Sequence, residues 1–209
     1  THSNRRFFKH KLNSYPMEFI KRFKEEDEVH GIYELFSEVF VSRLGKSLGL
    51  PVLEVRLSYD GLRMKYLAKK VDDVNSVRNP AQLKRSLPFE EWVLNIDLKQ
   101  EHVMADEVGN AFIIDHGHSL FSWKPLYYVY EVIGKPVTRF KLWSDDVHYR
   151  EGVEIVRSID KATRDSLLRE SVNEVLDYKR LDQALTEDYI TISSKILDYR
   201  EKIICSFKN

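Results

Sequence analysis

The sequence predicts an α+β protein in which a small lobe of strands and one helix precedes a larger, mainly helical lobe. Three observations support this prediction. Apolar residues recur at intervals of three and four between Ile32 and Leu48, as on one face of a helix. Two segments of alternating apolar residues flank Asp60-Gly61, which is typical of a β-hairpin. Helical spacing then returns from about Asp145 and continues through the rest of the sequence.

The small lobe, which we place at residues 1–74, begins with a β-prone segment, MEFIKRF, that carries Lys21 in its middle. The acidic turn KEEDEVHG follows, and after it comes the predicted helix, which ends in GLP. The two arms of the hairpin read LEVRLSY and LRMKYL. The polar stretch KKVDDVNSVRNP comes next, and we interpret it as a hinge between the lobes.

The larger lobe, at residues 75–209, opens with PAQLKRSLPFEEWVLNIDL, a helical pattern that Pro88 is expected to break. HVMA and AFIID predict a second hairpin at 102–117, and its second arm ends in Asp115. The aromatic residues of FSWKPLYYVYEV are expected to pack in the core and between the lobes. The segments EGVEIVRSI, ATRDSLLRESVNEVL, YKRLDQAL and YITISSKILDYREKIICSF predict a helical C-terminal region.

Composition excludes several classes of protein. Lysine plus arginine and aspartate plus glutamate number 33 each, so no overall field attracts nucleic acid or an anionic membrane. Cys205 is the single cysteine, which excludes an internal disulfide and a cysteine-built zinc site. The sequence contains no apolar run near the roughly 18 to 20 residues of a membrane span. A cytoplasmic protein is the expectation, with no membrane partner and no direct binding of nucleic acid.

Four charged residues stand where ordinary core or surface packing explains them poorly: Lys21 in an apolar strand, Glu38 on the first helix, Asp97, and Asp115 after FII. A carboxylate at the end of a buried strand is desolvated unless it is paired or coordinated. A nucleoside triphosphate requires a cation on its phosphates, an acid to hold that cation, a carboxylate for magnesium, and a base near the attacking hydroxyl. Lys21, Glu38, Asp115 and Asp97 would fill these roles in that order.

The same residues lie in strings that resemble the HipA-like kinases, atypical relatives of the protein kinase and phosphoinositide kinase superfamily. The strings are EFIKRF, SEVFVSRLGKSLGLP, WVLNID and IIDHGHSLF, in that order, within residues 17–121. The resemblance implies a two-lobed protein-kinase-like fold, with Lys21 binding the ATP phosphates and Glu38 as its partner on the helix. Asp97 would be the catalytic aspartate and Asp115 the magnesium ligand. It also implies transfer of the γ-phosphoryl group to a serine or threonine hydroxyl, with a protein as the expected acceptor, and an antitoxin-like protein as a further partner.

The chain departs from this family pattern at three places. Leu98 stands where an arginine usually follows the catalytic aspartate, and His102 stands where a metal-binding asparagine is usual. His102 is therefore the second candidate metal ligand, and Mn²⁺ becomes an alternative to Mg²⁺. No glycine precedes Gly31, so a phosphate-binding loop is either formed by NRRFFKHKLNS or encoded upstream of residue 1. These changes leave a nucleotide-binding pseudokinase, acting as an interaction module, as an alternative.

A second alternative is a metal-dependent phosphohydrolase that uses Asp97, His102, Asp115, His116 and His118. His116 and His118 alternate around Gly117, which permits a metal pair in an extended strand, but zinc needs at least a third ligand. Hydrogen bonds from these histidines that fix the loop are the favoured interpretation. Lys21 paired with Glu38 would separate the two classes, because a hydrolase of this kind has no use for that pair.

Overall fold

Six strands and seven α-helices are present in the computed structural model, which describes residues 17–23, 28–122 and 125–207. The strands are β1 (Glu18–Arg22), β2 (Val55–Ser58), β3 (Gly61–Lys65), β4 (Lys69–Lys70), β5 (Val103–Ala105) and β6 (Ala111–Ile113). The helices are α1 (Val29–Ser47), α2 (Pro80–Arg85), α3 (Leu87–Trp92), α4 (Leu126–Val132), α5 (Asp146–Arg157), α6 (Lys161–Leu176) and α7 (Gln183–Ile203). None of the helices in these ranges combines the length and hydrophobicity that a bilayer-spanning segment requires. The segment NRRFFKHKLNS lies outside the described residues.

The first sheet is antiparallel, in the order β1-β3-β2. The predicted hairpin is confirmed, with Asp60 in its turn and Gly61 at the start of β3. Gly61 has a φ of 149°, and a Cβ there would lie 2.3 Å from the carbonyl oxygen of Lys21, so the close approach of β1 requires glycine. Lys21 is paired directly with the buried Leu62. Directly opposite residues project from the same face of a sheet, so Lys21 projects from the face that Leu62 buries.

Helix α1 confirms the predicted first helix and begins three residues before Ile32. Its apolar face is almost completely buried, with Phe36, Val39, Phe40 and Leu44 each at most 1% exposed. The helix packs on α6 and on β2. Glu38 lies beside this apolar face and is 4% exposed, so the helix holds one carboxylate inside the protein.

The second sheet has the order β4-β5-β6 and contains the predicted hairpin. Val103 and Ile113 are fully buried on one face of this sheet. The segment that follows α1 extends the sheet, because Leu53 donates its N–H to the carbonyl of Ile113 at 2.9 Å, and Ile113 donates to Pro51 at 2.8 Å. The connection from α1 to β2 is therefore hydrogen-bonded to the strand that leads to Asp115.

Two predictions about the larger lobe were wrong in detail. The helical break falls at Ser86, because Pro88 occupies the first turn of α3, where its missing N–H has no helical partner to lose. The pattern also predicted a helix through VLNIDL, but α3 ends at Trp92 and Leu94 adopts the left-handed conformation with a φ of 57°. The chain thus leaves the helix before Asp97.

The predicted C-terminal helices are present as α5, α6 and α7. YKRLDQAL does not form a separate helix, because α7 begins only at Gln183, where the side chain of Asp182 caps it. The prediction that the aromatic residues of FSWKPLYYVYEV pack in the core and between the lobes was also wrong in part. Helix α4 of this stretch buries Val129 but leaves Tyr127 71% and Tyr130 84% exposed, so these two side chains do not pack in the core.

Candidate active site

Lys21 lies between two carboxylates from different parts of the fold. Its Nζ is 3.5 Å from Glu38 Oε2 on α1, so the predicted ion pair is confirmed. The same Nζ donates a shorter hydrogen bond, 2.9 Å, to Oδ1 of Asp115. Glu38 is buried, whereas the side chains of Lys21 and Asp115 are 40% and 23% exposed. The lysine therefore joins a buried acid to an acid that is open to ligands.

Asp115 directly follows the extended end of β6 and leaves it through a sharp change of backbone direction. Its φ is 67°, a left-handed conformation that costs a residue other than glycine about 1–2 kcal/mol. The preceding residue is fixed, because Ile114 donates its N–H to the carbonyl of His102 at 2.9 Å. Strained backbone of this kind concentrates at functional sites.

A buried hydrogen-bond chain lies behind Asp115. His116 Nε2 is 3.0 Å from Oε1 of Glu90, and Asn95 donates to Oε2 of the same carboxylate at 2.7 Å. Burial of the His116 ring opposes its protonation, but the adjacent Glu90 carboxylate outweighs burial and raises the pKa of His116. His116 therefore fixes the loop from inside, as the sequence interpretation favoured.

Asp97 is surrounded by nitrogen donors. Lys99 Nζ lies 3.1 Å from its Oδ1, Arg139 Nη1 lies 3.5 Å from its Oδ1, and His118 Nδ1 lies 3.7 Å from its Oδ2. Leu98 is fully buried and anchors the loop next to Asp97 in the core. The carboxylate itself stays 22% exposed, which leaves it accessible from solvent.

His118 connects the two sides of the site. Its Nε2 is 3.5 Å from Oε1 of Glu34 on α1, while its other ring nitrogen faces Asp97. The hydrogen bond that His118 donates to Glu34 raises the pKa of His118 against the opposing effect of burial, with further contributions from Asp97 and Asp115. His118 stands three positions after Asp115, and its Nδ1 lies 3.7 Å from Oδ2 of Asp97, so Asp97 and Asp115 belong to one site.

His102 provides a test of whether the site suits a metal ion. Its ring is 7% exposed, and its Nδ1 has no hydrogen-bond partner among the described residues. Burial lowers the pKa of His102, against the opposing fields of Asp115 and Asp97, which favours the neutral, ligand-competent imidazole. The unpartnered imidazole nitrogen of His102 and the partly exposed carboxylate of Asp115 are donors of the types that divalent ions bind.

Larger metal centres are absent from the part of the chain that the structure describes. It contains no group of three or more histidine, cysteine or acidic residues arranged around a common metal position. A metal ion held by this site would therefore depend on ligand oxygens from its substrate.

Two concave surfaces adjoin these residues. A small cavity opens beside the ion pair, lined by Lys21, Glu34, Glu38 and Gly117 among others. A larger, more open groove extends along the end of β3 to β6, where Met64, Lys65 and Phe112 line it. The first gives access to the charged residues, whereas the lining of the second contains neither Lys21 nor Glu38.

Four residues of the site were not identified from the sequence: Glu34, Glu90, Lys99 and Arg139. A signal existed for Glu90, because it stands between Phe89 and Trp92 in a helical pattern whose neighbours are apolar, and a carboxylate there must be paired. Glu34 precedes Glu38 by one helical turn, which places both on one face of α1. Arg139 gave no local signal, because its position beside Asp97 depends on tertiary structure alone.

The fold is a two-lobed protein-kinase-like fold. It combines two sheets, helix α1, whose Glu38 pairs with Lys21, and a mainly helical remainder. The solved structure of the Helicobacter pylori proinflammatory kinase CtkA is similar, with a TM-score of 0.55 over 99% of this chain and 90% of that chain. The two sequences are 13% identical, so the similarity establishes a shared fold. No protein-family model and no curated protein sequence matches this chain.

Proposed function

We propose that this protein is a HipA-like kinase that transfers the γ-phosphoryl group of ATP to a serine or threonine hydroxyl. The observation that supports it most directly is the position of Lys21, which contacts Glu38 and Asp115 at once. A phosphate-binding lysine needs a buried acid to hold it and a metal-binding carboxylate beside it. Asp97 completes the arrangement as an accessible carboxylate in the same site.

Each residue has one role in this proposal. Lys21 exchanges its bond to Asp115 for phosphate oxygens, while Glu38 keeps the ammonium group directed into the cleft. Asp97 accepts the proton of the attacking hydroxyl. Catalysis of phosphoryl transfer depends mostly on positioning and charge neutralisation, so these residues need to converge more than they need unusual pKa values.

Asp115 and His102 are the residues that would hold Mg²⁺ or Mn²⁺. The bound ion would neutralise the charge of the phosphates. Magnesium prefers oxygen ligands, whereas an imidazole nitrogen suits manganese better than magnesium. The donor set of one carboxylate and one imidazole therefore favours Mn²⁺ more than a set of carboxylate and amide would.

The adenine ring is proposed to lie against residues 67–74, where the hinge joins the two sheets. Leu67 and Val71 are buried there, and β4 is short, so backbone groups beside it can pair with a base edge. The expected acceptor is a protein, in the cytoplasm, and an antitoxin-like partner stays a prediction.

A pseudokinase of the same fold is the second candidate. Two observations favour it: His102 replaces an amide ligand, and Leu98 is fully buried and supplies no charge next to Asp97. The phosphohydrolase alternative has less support. His116 is hydrogen-bonded to the buried Glu90, and Lys21 contacts Asp115, so neither group is arranged for a metal centre built from histidines.

Incubation of the purified protein with labelled ATP and either Mg²⁺ or Mn²⁺ tests the proposal. Bound nucleotide, self-phosphorylation and free phosphate are measured together, with Lys21→Met as the comparison. Binding with transfer that requires Lys21 supports the kinase, and binding without transfer supports the pseudokinase. Release of phosphate that persists in Lys21→Met would support the hydrolase and contradict the proposal.

A further inference from the structure

Arg139 lies outside the four sequence strings that resemble HipA-like kinases, but it is next to Asp97 in the fold. Its Nη1 is 3.5 Å from Asp97 Oδ1, and its side chain is 61% exposed. We propose that Arg139 binds the transferring γ-phosphoryl group and neutralises its charge. This inference rests on the proposed kinase function and adds a catalytic residue to it.

Distance supports this role. A base that takes the proton of a hydroxyl lies within about 3 Å of that oxygen, which in turn lies about 3–3.5 Å from the phosphorus in a near-attack geometry. A guanidinium in contact with the base is therefore within reach of the equatorial phosphate oxygens. The guanidinium has five N–H donors in a planar fork that matches phosphate, and a single contact at 3.5 Å leaves donors for a ligand.

A rigid support holds the segment that ends in Arg139. The buried Glu91 accepts hydrogen bonds from the N–H of Val137 at 2.7 Å and from the hydroxyl of Thr138 at 2.5 Å. Arg200, also buried, pairs with Glu91 at 3.1 Å and donates to the carbonyl of Ile133 at 2.7 Å. The two residues before Arg139 are therefore fixed, so ligand binding needs to order the arginine side chain but not the backbone that precedes it.

The cations around Asp97 differ in their other partners. Lys99 also lies 4.0 Å from Glu101, and His118 lies between Asp97 and Glu34. Among the described residues, Asp97 is the single carboxylate within ion-pair distance of Arg139. Arg139 is therefore the cation best able to take a second anion, and its guanidinium offers a phosphoryl group bidentate geometry that a lysine cannot provide.

Calorimetry with ADP and with a non-hydrolysable ATP analogue, in the presence of Mn²⁺, tests the inference on wild type, Arg139→Ala and Arg139→Lys. We expect Arg139→Ala to weaken binding of the ATP analogue about 10- to 100-fold, as for loss of a charged hydrogen bond, and to leave ADP affinity unchanged. Arg139→Lys should recover part of the loss. Arg157→Ala, which removes an exposed arginine paired with Glu154 on α5, is the matched control and should change neither affinity.

Several outcomes would overturn the inference. Equal losses for ADP and the ATP analogue would mean that Arg139 supports the fold of the site and does not bind the γ-phosphate. If Arg139→Ala left both nucleotide affinities and kcat unchanged, the inference would also be contradicted. The same holds if the variant changed only the KM of the acceptor. Failure of the wild-type protein to bind either nucleotide would overturn the proposed function itself, and this inference with it.

Discussion

Lys21 Nζ lies 2.9 Å from Asp115 Oδ1, although 94 positions separate the two residues in the sequence. Lys21 belongs to the first sheet, and Asp115 lies two residues beyond the last strand of the second, so the contact joins the two sheets at the site. The lysine makes its shorter contact with Asp115 and its longer contact, 3.5 Å, with Glu38. Lys21 thus links helix α1 to the loop that follows β6.

The first prediction concerns this lysine. Lys21→Met should weaken binding of ATP about 10- to 100-fold, because a charged hydrogen bond to phosphate is lost. Glu38→Gln should have a smaller effect, since it loosens the lysine without removing it. Isothermal titration calorimetry measures both. Arg56→Ala, a change at an exposed residue of the first sheet, is the control, and an equal loss in that variant would refute a specific role for Lys21.

The two aspartates should separate binding from transfer. Asp115→Asn removes the charge that balances a divalent ion, so metal-dependent binding of an ATP analogue should disappear. Asp97→Asn should bind nearly normally and lose transfer by about 10² to 10⁴, the contribution typical of a positioned base. Calorimetry and a transfer assay on both variants provide the measurement. Equal loss of binding in the two variants would contradict this division, and full activity in both would end the kinase interpretation.

His102→Asn should change the preference for metal ions. If His102 coordinates the ion, the wild-type protein with Mn²⁺ and an ATP analogue should show imidazole nitrogen coupling in its pulsed electron paramagnetic resonance spectrum. The coupling should vanish in His102→Asn, and Mg²⁺-dependent transfer should rise. Absence of nitrogen coupling in the wild-type spectrum would exclude His102 as a ligand. Unchanged transfer in the variant would support the pseudokinase.

The contact of Glu34 with His118 should make stability depend on pH. The pKa of His118 is raised, first by the hydrogen bond that its ring donates to Glu34, so the protonated ring is favoured in the native state. Its contribution to the free energy of unfolding is complete below about pH 6.5, the ordinary histidine value, and disappears as pH rises through the higher native pKa.

Glu34→Gln should therefore lose stability relative to wild type at low pH, and the difference should shrink as pH rises from about 5.5 to 8. Urea unfolding across this range, together with a nuclear magnetic resonance titration of His118, checks the prediction. A native His118 pKa below about 6.5 in the wild-type protein would contradict the assignment.

A final prediction concerns packing outside the site. A Cβ at Gly152 on α5 would lie 2.1 Å from the carbonyl oxygen of Arg85 and 2.9 Å from the ring of Pro88. Gly152→Ala should therefore lower the free energy of unfolding by about 1–3 kcal/mol, since α5 must move away from α2 and α3. Gly31→Ala on α1 is the matched control, because no described atom lies within 4 Å of its added Cβ. That variant should gain up to about 1 kcal/mol from helix propensity.

Local patterns sufficed for the elements with strong periodicity. Helix α1 was predicted because its apolar residues repeat at helical spacing and a Gly-Leu-Pro sequence ends it. Helix α4 was missed because LYYVYEV combines β-branched and aromatic residues, which favour strands, and because it buries only Val129 completely. The exposure of Tyr127 and Tyr130 depends on where tertiary packing places the segment, which no local pattern contains.

The candidate site was predictable to the extent that its residues lie in recognisable strings. Lys21, Glu38 and Asp115 were selected on that basis, and their mutual contacts now agree with it. The neighbours of Asp97 could not be selected in the same way. Arg139 reaches Asp97 only because the buried pair of Glu91 and Arg200 fixes the preceding backbone, and that support is assembled from three distant parts of the chain.

The hydrogen bonds between residues 51–53 and β6 limit how helix α1 can move. They tie the C-terminal end of α1 to the strand that precedes Asp115, through Leu53 and Ile113. The middle of the helix is held as well, because the hydroxyl of Ser37 donates to the carbonyl of Ser119 at 3.1 Å, in the loop that follows Asp115. The acidic face of α1 and the loop that carries Asp115 and His118 are therefore cross-braced on both sides of Asp115. A displacement of one of them would carry the other with it.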